Sequence, residues 1–527
     1  MENALPKNWV SCQLKDVFDI VTGNTPPKKF PEYYGGNIPW VKPGDIMSAD
    51  IIFKTEEFLT DLGFEKARKI PAGSVMVTCI GNLGNTAIAG KELATNQQIN
   101  SIVIYHDLIN KKYVYYNSKT FKKWLIDNST STTISMVNKT NFEKLPFLLP
   151  PLPEQTRIVV KLDQLYGQLE LIKESLDKIP QLLKDFRQQV LTQAVTGKLT
   201  EDFNYAPIAE EIINDRHSWY QKEILLSKEQ SRKKPRKIVL KVDKNRNYWD
   251  GKIKKKVDIV FFEEIAAKKD NALKAGPFGS SLKKEFYTEA GYKIYGQEQV
   301  INNDHTYGDY YIDKERYDSL LSCSVDLGDI LISLVGTIGK VLIVPEGFEP
   351  GIINPRLVKL SLHEFVNPLY IKFYLQSQLI VDFLKKSSHG GTMDVLNLGI
   401  IKTLPIPLPS REEQQEIVTR VETLFAKADT IEQQYQNLKQ KIDTLPQAIL
   451  HKAFKGELVP QLESDGDARE LLEEIKALKK QTGKNNIRVS PSTSSGQAKV
   501  EPLKKSKAYK AGDVELGRVA EESEKYK

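Results

Sequence analysis

Few residues in this sequence are equipped for covalent or metal chemistry. Cys12, Cys79 and Cys323 are the only cysteines in 527 residues. Odd in number and far apart, they frame neither a disulfide scaffold nor a metal knuckle, and they fit a reducing cytoplasm. The six histidines, His106, His217, His305, His363, His389 and His451, are scattered without metal-ligand spacing. No run of about 18 apolar residues is present to cross a bilayer. Met1 to Trp9 lacks the apolar stretch and small-residue cleavage site of a secretory leader.

Catalytic motifs are missing too. Asn24-Thr25-Pro26-Pro27 has one residue too many for the Asn/Asp-Pro-Pro-aromatic motif of an adenine methyltransferase, and Lys28 follows it. Asn354-Pro355-Arg356 lacks both the second proline and the aromatic. Gly336-Thr337-Ile338-Gly339-Lys340 lacks the first glycine of a phosphate loop and puts Val341 where Ser or Thr would hold magnesium. Gly81-Asn82-Leu83-Gly84 fits the four-residue loop of one RNA-binding fold, but a strand turn explains it better. The expectation is a non-catalytic protein with no cofactor of its own.

The sequence does hold charge unevenly. Against a net charge of +7, residues 222–256 carry 14 Lys/Arg and 4 Asp/Glu. Pro235 and scattered polar residues favour a solvated linker there, with a phosphate-contacting arm as the alternative.

More informative is a repeat with a period near 257 residues. At a constant offset of 259, Glu154-Gln155 recurs as Glu413-Gln414, Ile158-Val159 as Ile417-Val418, and Leu165-Tyr166 as Leu424-Phe425. Ala194 to Leu199 recurs as Ala453 to Leu458. Upstream, Gly81 to Gly84 faces Gly336 to Gly339 at offset 255, while Thr133, Asn138 and Leu145-Pro146 face Thr392, Asn397 and Leu404-Pro405 at offset 259. The two copies share a scaffold and differ in most polar loop residues. Two targets read by one architecture give that pattern, and so does a duplicated fold that has drifted.

Both matching segments read as long helices. Ile158, Leu162, Leu165, Leu169, Ile172, Leu176 and Ile179 alternate spacings of four and three. Ile417, Val421, Leu424, Ala428, Ile431, Tyr435, Leu438, Ile442 and Leu445 do the same. A sustained 3.5-residue period is a coiled-coil seam. The simplest arrangement packs the two stripes on each other, antiparallel; the alternative gives each stripe to another subunit. Pro180 and Pro446 are expected to kink or restart the helices, and Gly197 and Gly456 to cap them. Twenty-five residues span about 38 Å at 1.5 Å each, close to one turn of DNA.

The flanking regions, 1–150 and 257–408, read as mixed α/β domains rich in short strands, such as Val75 to Ile80 and Ile330 to Val335. Their polar loops carry the binding hypothesis. In the first domain these are Thr22, Gly23, Asn24, Thr25, Lys28, Lys29 and Lys42, with Asn96, Gln97 and Gln98. In the second they are Gly276, Phe278, Gly279, Ser280, Ser281, Lys283 and Lys284, with Gln297, Gln299 and Arg356. Glycines admit a close backbone, lysines and hydroxyls suit phosphate, and amides or arginine read base edges. Trp40 and Tyr295 are candidates to stack on bases. Each loop taken alone is as readily a plain turn, and each aromatic a core residue.

Taken in order, these features resemble type I restriction–modification specificity subunits over about residues 5–480. The phrases that carry it are Leu5-Pro6-Lys7-Asn8-Trp9, Thr22 to Pro26, Gly36-Asn37-Ile38-Pro39-Trp40 and Gly276 to Ser281. Most specific are Leu149-Pro150-Pro151-Leu152-Pro153-Glu154-Gln155 and its cousin Pro407 to Gln414, read as carrying three extra residues before Glu413-Gln414. The resemblance implies a mixed α/β fold class: two target-recognition domains, 1–150 and 257–408, separated by long helices that pair as an antiparallel coiled coil. Between and beyond them lie a helical spacer 151–199, a basic linker with a short helix 200–256, a second helical spacer 409–458, a short amphipathic helix 459–480 and a basic tail 481–527 of disordered composition.

The resemblance also implies double-stranded DNA as ligand, read as a split, asymmetric site. It implies two methyltransferase subunits using S-adenosylmethionine on adenine N6, and restriction/translocase subunits using ATP and Mg, in a cytoplasmic phage-defence system. Ala209-Glu210-Glu211-Ile212-Ile213 and Ala468-Arg469-Glu470-Leu471-Leu472 are partner-binding candidates or simple packing pieces. The competing readings are a free-standing two-domain DNA-binding protein and a structural scaffold.

Overall fold

The computed structural model describes residues 5–130, 134–203, 208–230, 257–334, 339–387 and 396–485. Most of the basic stretch, the segment after 485, Gly336 to Ile338, Thr133 and Thr392 lie outside the described residues. The chain divides into two compact units, Met1–Val159 with Lys452–Lys527, and Val160–His451.

In the first unit, Val10–Gln13 pairs antiparallel with Pro146–Leu149. A five-stranded sheet runs in the order Asp19–Thr22, Ile99–Val103, Val75–Thr78, Thr86–Ala89, Ile51–Ile52. Beside it, Tyr34–Val41 lies parallel to Leu93–Thr95. Val75 to Thr78 are buried throughout, and this apolar, largely β-branched run forms the interior of the sheet rather than an edge.

The second unit repeats the plan. Asp258–Phe261 pairs with Pro405–Leu408, and a four-stranded sheet runs Leu273–Ala275, Leu357–Leu360, Ile330–Ser333, Val341–Ile343. Tyr292–Tyr295 lies parallel to Gly351–Ile353. The fully buried strand Ile330–Ser333 stands where Val75–Thr78 stands in the first unit.

The long helices are α1 (Leu152–Leu176), α2 (Ile179–Val195), α3 (Ala209–Glu229), α4 (Arg411–Phe454) and α5 (Ala468–Asn485). The Ser410 hydroxyl accepts from Glu413 N at 3.2 Å and starts α4. Gly197 and Gly456 end α2 and α4 with φ of 74° and 75°, the left-handed cap that suits glycine. Pro180, of the pair expected to kink or restart the helices, stands in the first turn of α2 after the break from α1, whereas Pro446 lies inside the continuous α4.

Within the second unit, Leu169 and Leu176 of α1 pack with Tyr435 and Ile442 of α4. Tyr166 Oη donates to Pro446 O at 3.2 Å, and Arg187 of α2 meets Asp429 and Glu432 of α4 at 2.6 and 2.9 Å. Rising numbers on one side meet falling numbers on the other, so the pairing is antiparallel.

The seam is narrower than the stripe. Ile172, Ile431 and Leu438 are exposed. Ile417 and Val421, with Leu424 packed alongside, join Val190, Leu191 and Ala194 in the core of the second domain. Ile158 is buried in the first unit. A heptad stripe marks a face, and a two-helix contact covers only part of it.

Helix α5 closes the first unit. Ala468 N donates to Asn8 O at 3.0 Å, Lys479 Nζ to Lys15 O at 2.7 Å, and Phe454 packs on Tyr113 with centroids 5.5 Å apart. The Arg157 guanidinium grips both oxygens of Asp465 at 2.7 and 2.6 Å. In the second unit α3 plays the same part, with buried Ala209 and Ile212 in the domain core.

Candidate nucleic-acid interface

The polar loops converge in each domain on one constellation, built twice with the same backbone bonds. In the first, Gly23 N donates to Ile99 O at 3.0 Å and Asn96 N to Val41 O at 3.0 Å. Gln98 N donates to Asn96 Oδ1 at 3.0 Å, and Cys79 N to Gln98 O at 2.8 Å. In the second, Gly276 N donates to Leu357 O at 2.9 Å and Asn354 N to Tyr295 O at 2.8 Å. Arg356 N donates to Asn354 Oδ1 and Leu334 N to Arg356 O, both at 2.9 Å.

Each glycine is required by contact. A Cβ on Gly23 would lie 2.2 Å from Asn96 O, and one on Gly276 1.9 Å from Asn354 O. The Asn side chain supplies an Asx turn, which bends the chain and presents the residue two positions on. That residue is Gln98 in one domain and Arg356 in the other.

The side chains differ although the frame does not. In the first domain, Thr25 Oγ1 donates to Gln97 Oε1 and Thr22 Oγ1 to Asn100 Oδ1, both at 2.6 Å. Lys28 and Lys29 are exposed, Lys29 lying 5.0 Å from the Phe30 ring centre. Lys42 is less available, since it pairs with Glu57 and lies 5.3 Å from the Trp40 ring centre. In the second domain, Arg356 Nη1 donates to Gln297 Oε1 at 3.3 Å, and Gln297 Nε2 donates to Ser333 Oγ at 2.9 Å. An arginine braced by a half-buried amide keeps its fork pointed without filling it. Ser280, Lys283 and Lys284 are exposed and Ser281 is half-buried.

Four expected readers are corrected. Trp40 is buried, its Nε1 donating to Asn24 O at 3.3 Å. Tyr295 is fully buried, donating to Glu349 O at 2.7 Å. Gln299 is buried between Gly296 N and Tyr307 O at 2.8 and 2.7 Å. Asn96 is buried and spends its amide on Gln98. All four shape the loops from beneath and present no free face to a duplex.

The repeated Glu-Gln pair has a structural use. Gln155 and Gln414 are fully buried. Each carbonyl accepts from the amide of a helix-capping asparagine, Asn110 at 3.0 Å and Asn367 at 2.8 Å. Each NH2 group donates to a proline carbonyl, Pro150 at 2.9 Å and Pro409 at 3.0 Å. Pro150 and Pro409 lie five residues before their glutamines, so the second copy carries no extra residues. Leu149-Pro150 stands against Leu408-Pro409 at the same offset of 259, which removes the expected three-residue excess.

Asp215, His363 and Glu364 bring three potential metal ligands together. The Lys268 amine already bridges Asp215 at 2.7 Å and Glu364 at 2.9 Å. It is the main cause of an Asp215 pKa below the usual value. Phe365 N donates to His363 Nδ1 at 3.4 Å, which leaves Nε2 to donate to Asp215 at 3.0 Å. The cluster is an ion-pair network whose cation is a lysine. Burial pushes Cys12 and Cys79 up to about 12, so neither is a thiolate nucleophile at neutral pH.

The family described as the type I restriction modification DNA specificity domain matches residues 6–181 and 276–440. The chain belongs to that family. It is 29% identical over 477 residues to the EcoBI specificity subunit of Escherichia coli, covering 88% of this chain and 85% of that one. To the EcoKI specificity subunit of Escherichia coli strain K12 it is 24% identical over 514 residues, 91% and 97% of the two chains. The crystal structure of the HsdS subunit from Thermoanaerobacter tengcongensis has the same fold, with a TM-score of 0.53 at 18% identity over 86% of this chain and 98% of that one. The two matched segments each hold one of the duplicated loop constellations.

Other residues of this type I specificity chain were missed in sequence. Arg68 Nη1 donates to Thr22 O at 2.8 Å, and Arg68 N to Asn24 Oδ1 at 2.7 Å, which ties the first loop to a segment 44 residues away. Glu56, Glu57 and Phe58 join Lys28 and Tyr34 around a cleft of about 440 Å³. Asn354, in the phrase Asn354-Pro355-Arg356 that falls short of a methyltransferase motif, is the pivot of the second constellation. Spacing from Gly276 gives no hint of Asn354, because only the pairing of Leu273–Ala275 with Leu357–Leu360 brings the two together.

Proposed function

We propose that this chain is the DNA-reading subunit of a type I restriction–modification complex and that each domain reads one half of a split, asymmetric site. The carrying observation is the constellation built twice on the same backbone bonds with different outward side chains, Gln97 and Gln98 in one domain and Arg356 in the other. Amides suit adenine and a braced arginine suits guanine O6 and N7. Lys28, Lys29, Lys283 and Lys284 would meet phosphates, which position without specifying. Methyl transfer to adenine N6 from S-adenosylmethionine, and ATP- and Mg-dependent translocation and cleavage, belong in this reading to partner subunits in the cytoplasm. This chain contributes recognition alone. No described helix is long and apolar enough to cross a membrane.

Mapping methylated adenines in cells that carry the partner subunits tests the reading. Arg356→Gln is expected to change one guanine position of the second half-site towards adenine, a discrimination of about 1–3 kcal/mol, and to leave the first half-site unchanged. Equal change in both halves refutes one domain per half. Methyl transfer by the purified chain alone refutes the assignment of catalysis to partners.

A further inference from the structure

We propose that Phe278 is a wedge that enters the base stack of the second half-site. The proposal rests on the reading of the second domain as a DNA reader and adds how it engages the duplex. Phe278 is 88% exposed, whereas most large apolar side chains of this chain are covered or half-covered. The loop that carries it is not loose. Pro277 is buried, Gly276 is pressed against Asn354 O, and Ser281 N closes the turn on Phe278 O at 2.8 Å. The backbone at Phe278 is extended, with φ −59° and ψ 147°, so the ring projects from a braced tip.

Position and charge give the occupant. Phe278 lies two residues from Gly276, and Arg356 two residues from the Asn354 against which Gly276 packs. The ring and the guanidinium therefore leave the domain from adjoining loops. Exposed Lys283 and Lys284 follow within six residues; Lys283 pairs with the exposed Glu285 at 3.3 Å. An apolar ring rimmed by cations matches a duplex, whose stack is apolar and whose edge is anionic. A thymine methyl would cover one edge of the ring, whereas insertion at a base step covers both faces. The first domain has no aromatic at the matching place, and Phe30, the aromatic of its loop, is only 36% exposed with Lys29 over its ring. Thr25 stands at the matching place, two residues after its glycine, and is bonded to Gln97. The two half-sites are thus engaged differently, one by surface contact and one by partial unstacking.

The test uses the full complex of this chain with its methyltransferase subunits. Duplexes carry 2-aminopurine at each position of either half-site in turn. Apart from the target adenine, which the methyltransferase subunits turn out of the stack in either half, one position in the second half-site is expected to brighten on binding. In Phe278→Ala that brightening is lost and affinity falls about tenfold, with an unchanged salt slope because no cation is removed. Phe278→Trp restores both, and probes in the first half-site respond alike in all three proteins. Melting should not change, since the ring is exposed.

Unaltered brightening and affinity in Phe278→Ala overturn the wedge. So does loss of the methyltransferase subunits with normal brightening in the complexes that remain, which would make the ring a protein seat. The double variant Lys283→Ala, Lys284→Ala separates the two levels. If it weakens binding while Phe278→Ala does not, only the wedge fails. If neither affects binding, the reading of the second domain fails with it.

Discussion

Alanine at Gly276 is expected to disable the second reader while sparing the first. The added Cβ would lie 1.9 Å from Asn354 O, where ordinary contact begins at 3.4 Å. The loop and the Asn354 turn must therefore part by about 1.5 Å, and neither can yield alone. Asn354 is held by Tyr295 O, and Gly276 by Leu357 O. Overpacking of this kind costs about 1–3 kcal/mol of stability. A displacement above 1 Å between groups that must act together costs on the order of a hundredfold in function. Gly23→Ala, with its Cβ 2.2 Å from Asn96 O, is the mirror experiment. Gly44→Ala is the control, because nothing lies within 4 Å of its Cβ. The assay measures affinity of the assembled complex for duplexes with both half-sites, with either one scrambled, and with neither. Gly276→Ala should bind the intact site no better than a site with its second half scrambled, and Gly23→Ala the converse. Full discrimination by Gly276→Ala at both halves, with an unchanged melting curve, refutes the shared frame.

Three further outcomes are expected. Lys28→Ala with Lys29→Ala weakens DNA binding without changing sequence preference and lowers the salt slope by about one for each phosphate no longer neutralised; an altered methylation motif refutes the phosphate role. Asp465→Asn lowers the stability of the first unit by about 2 kcal/mol in urea unfolding. Its carboxyl lies below the usual range chiefly through the hydrogen bond from Arg157, so its contribution is full above about pH 4 and fades as the pH falls further; an acid limb identical in Asp465→Asn and parent refutes it. Four residues inserted after Leu176 add about 6 Å of helix, and methylation mapping should return the same half-sites with the unread spacer one or two base pairs longer; an unchanged spacer with full activity refutes spacing by the helices.

The sequence disclosed the duplication and the helical stripes, because both are patterns in apolar spacing. It did not disclose which polar residues face outward. Asn96 and Gln98 are neighbours of the same chemistry, yet one is consumed in bending the chain that presents the other. Trp40 and Tyr295 sit at strand ends where burial or exposure depends on the neighbouring strand, which composition does not name. Ile172, Ile431 and Leu438 obey the heptad and still face solvent, since the period fixes an angle around the helix and leaves the width of contact open. Gln155 and Gln414 were legible as a repeat, but their hydrogen bonds run to residues 45 and 47 positions away.

The packing of α5 on the segment around Asn8 and Lys15 sets an order on synthesis. The ribosome makes the first reading domain first, but the helix that seals it emerges only after the 292 residues from Val160 to His451. At about 5–20 residues per second that is a wait of roughly 15 to 60 s. During it the surface later covered by Ala468, Leu472 and Ile475, all buried in the finished protein, stays open, while the second domain already has its own α3 beside it. The half of the protein translated first is the last to be completed, and a chain cut short between α4 and α5 carries a finished second domain and an unsealed first one.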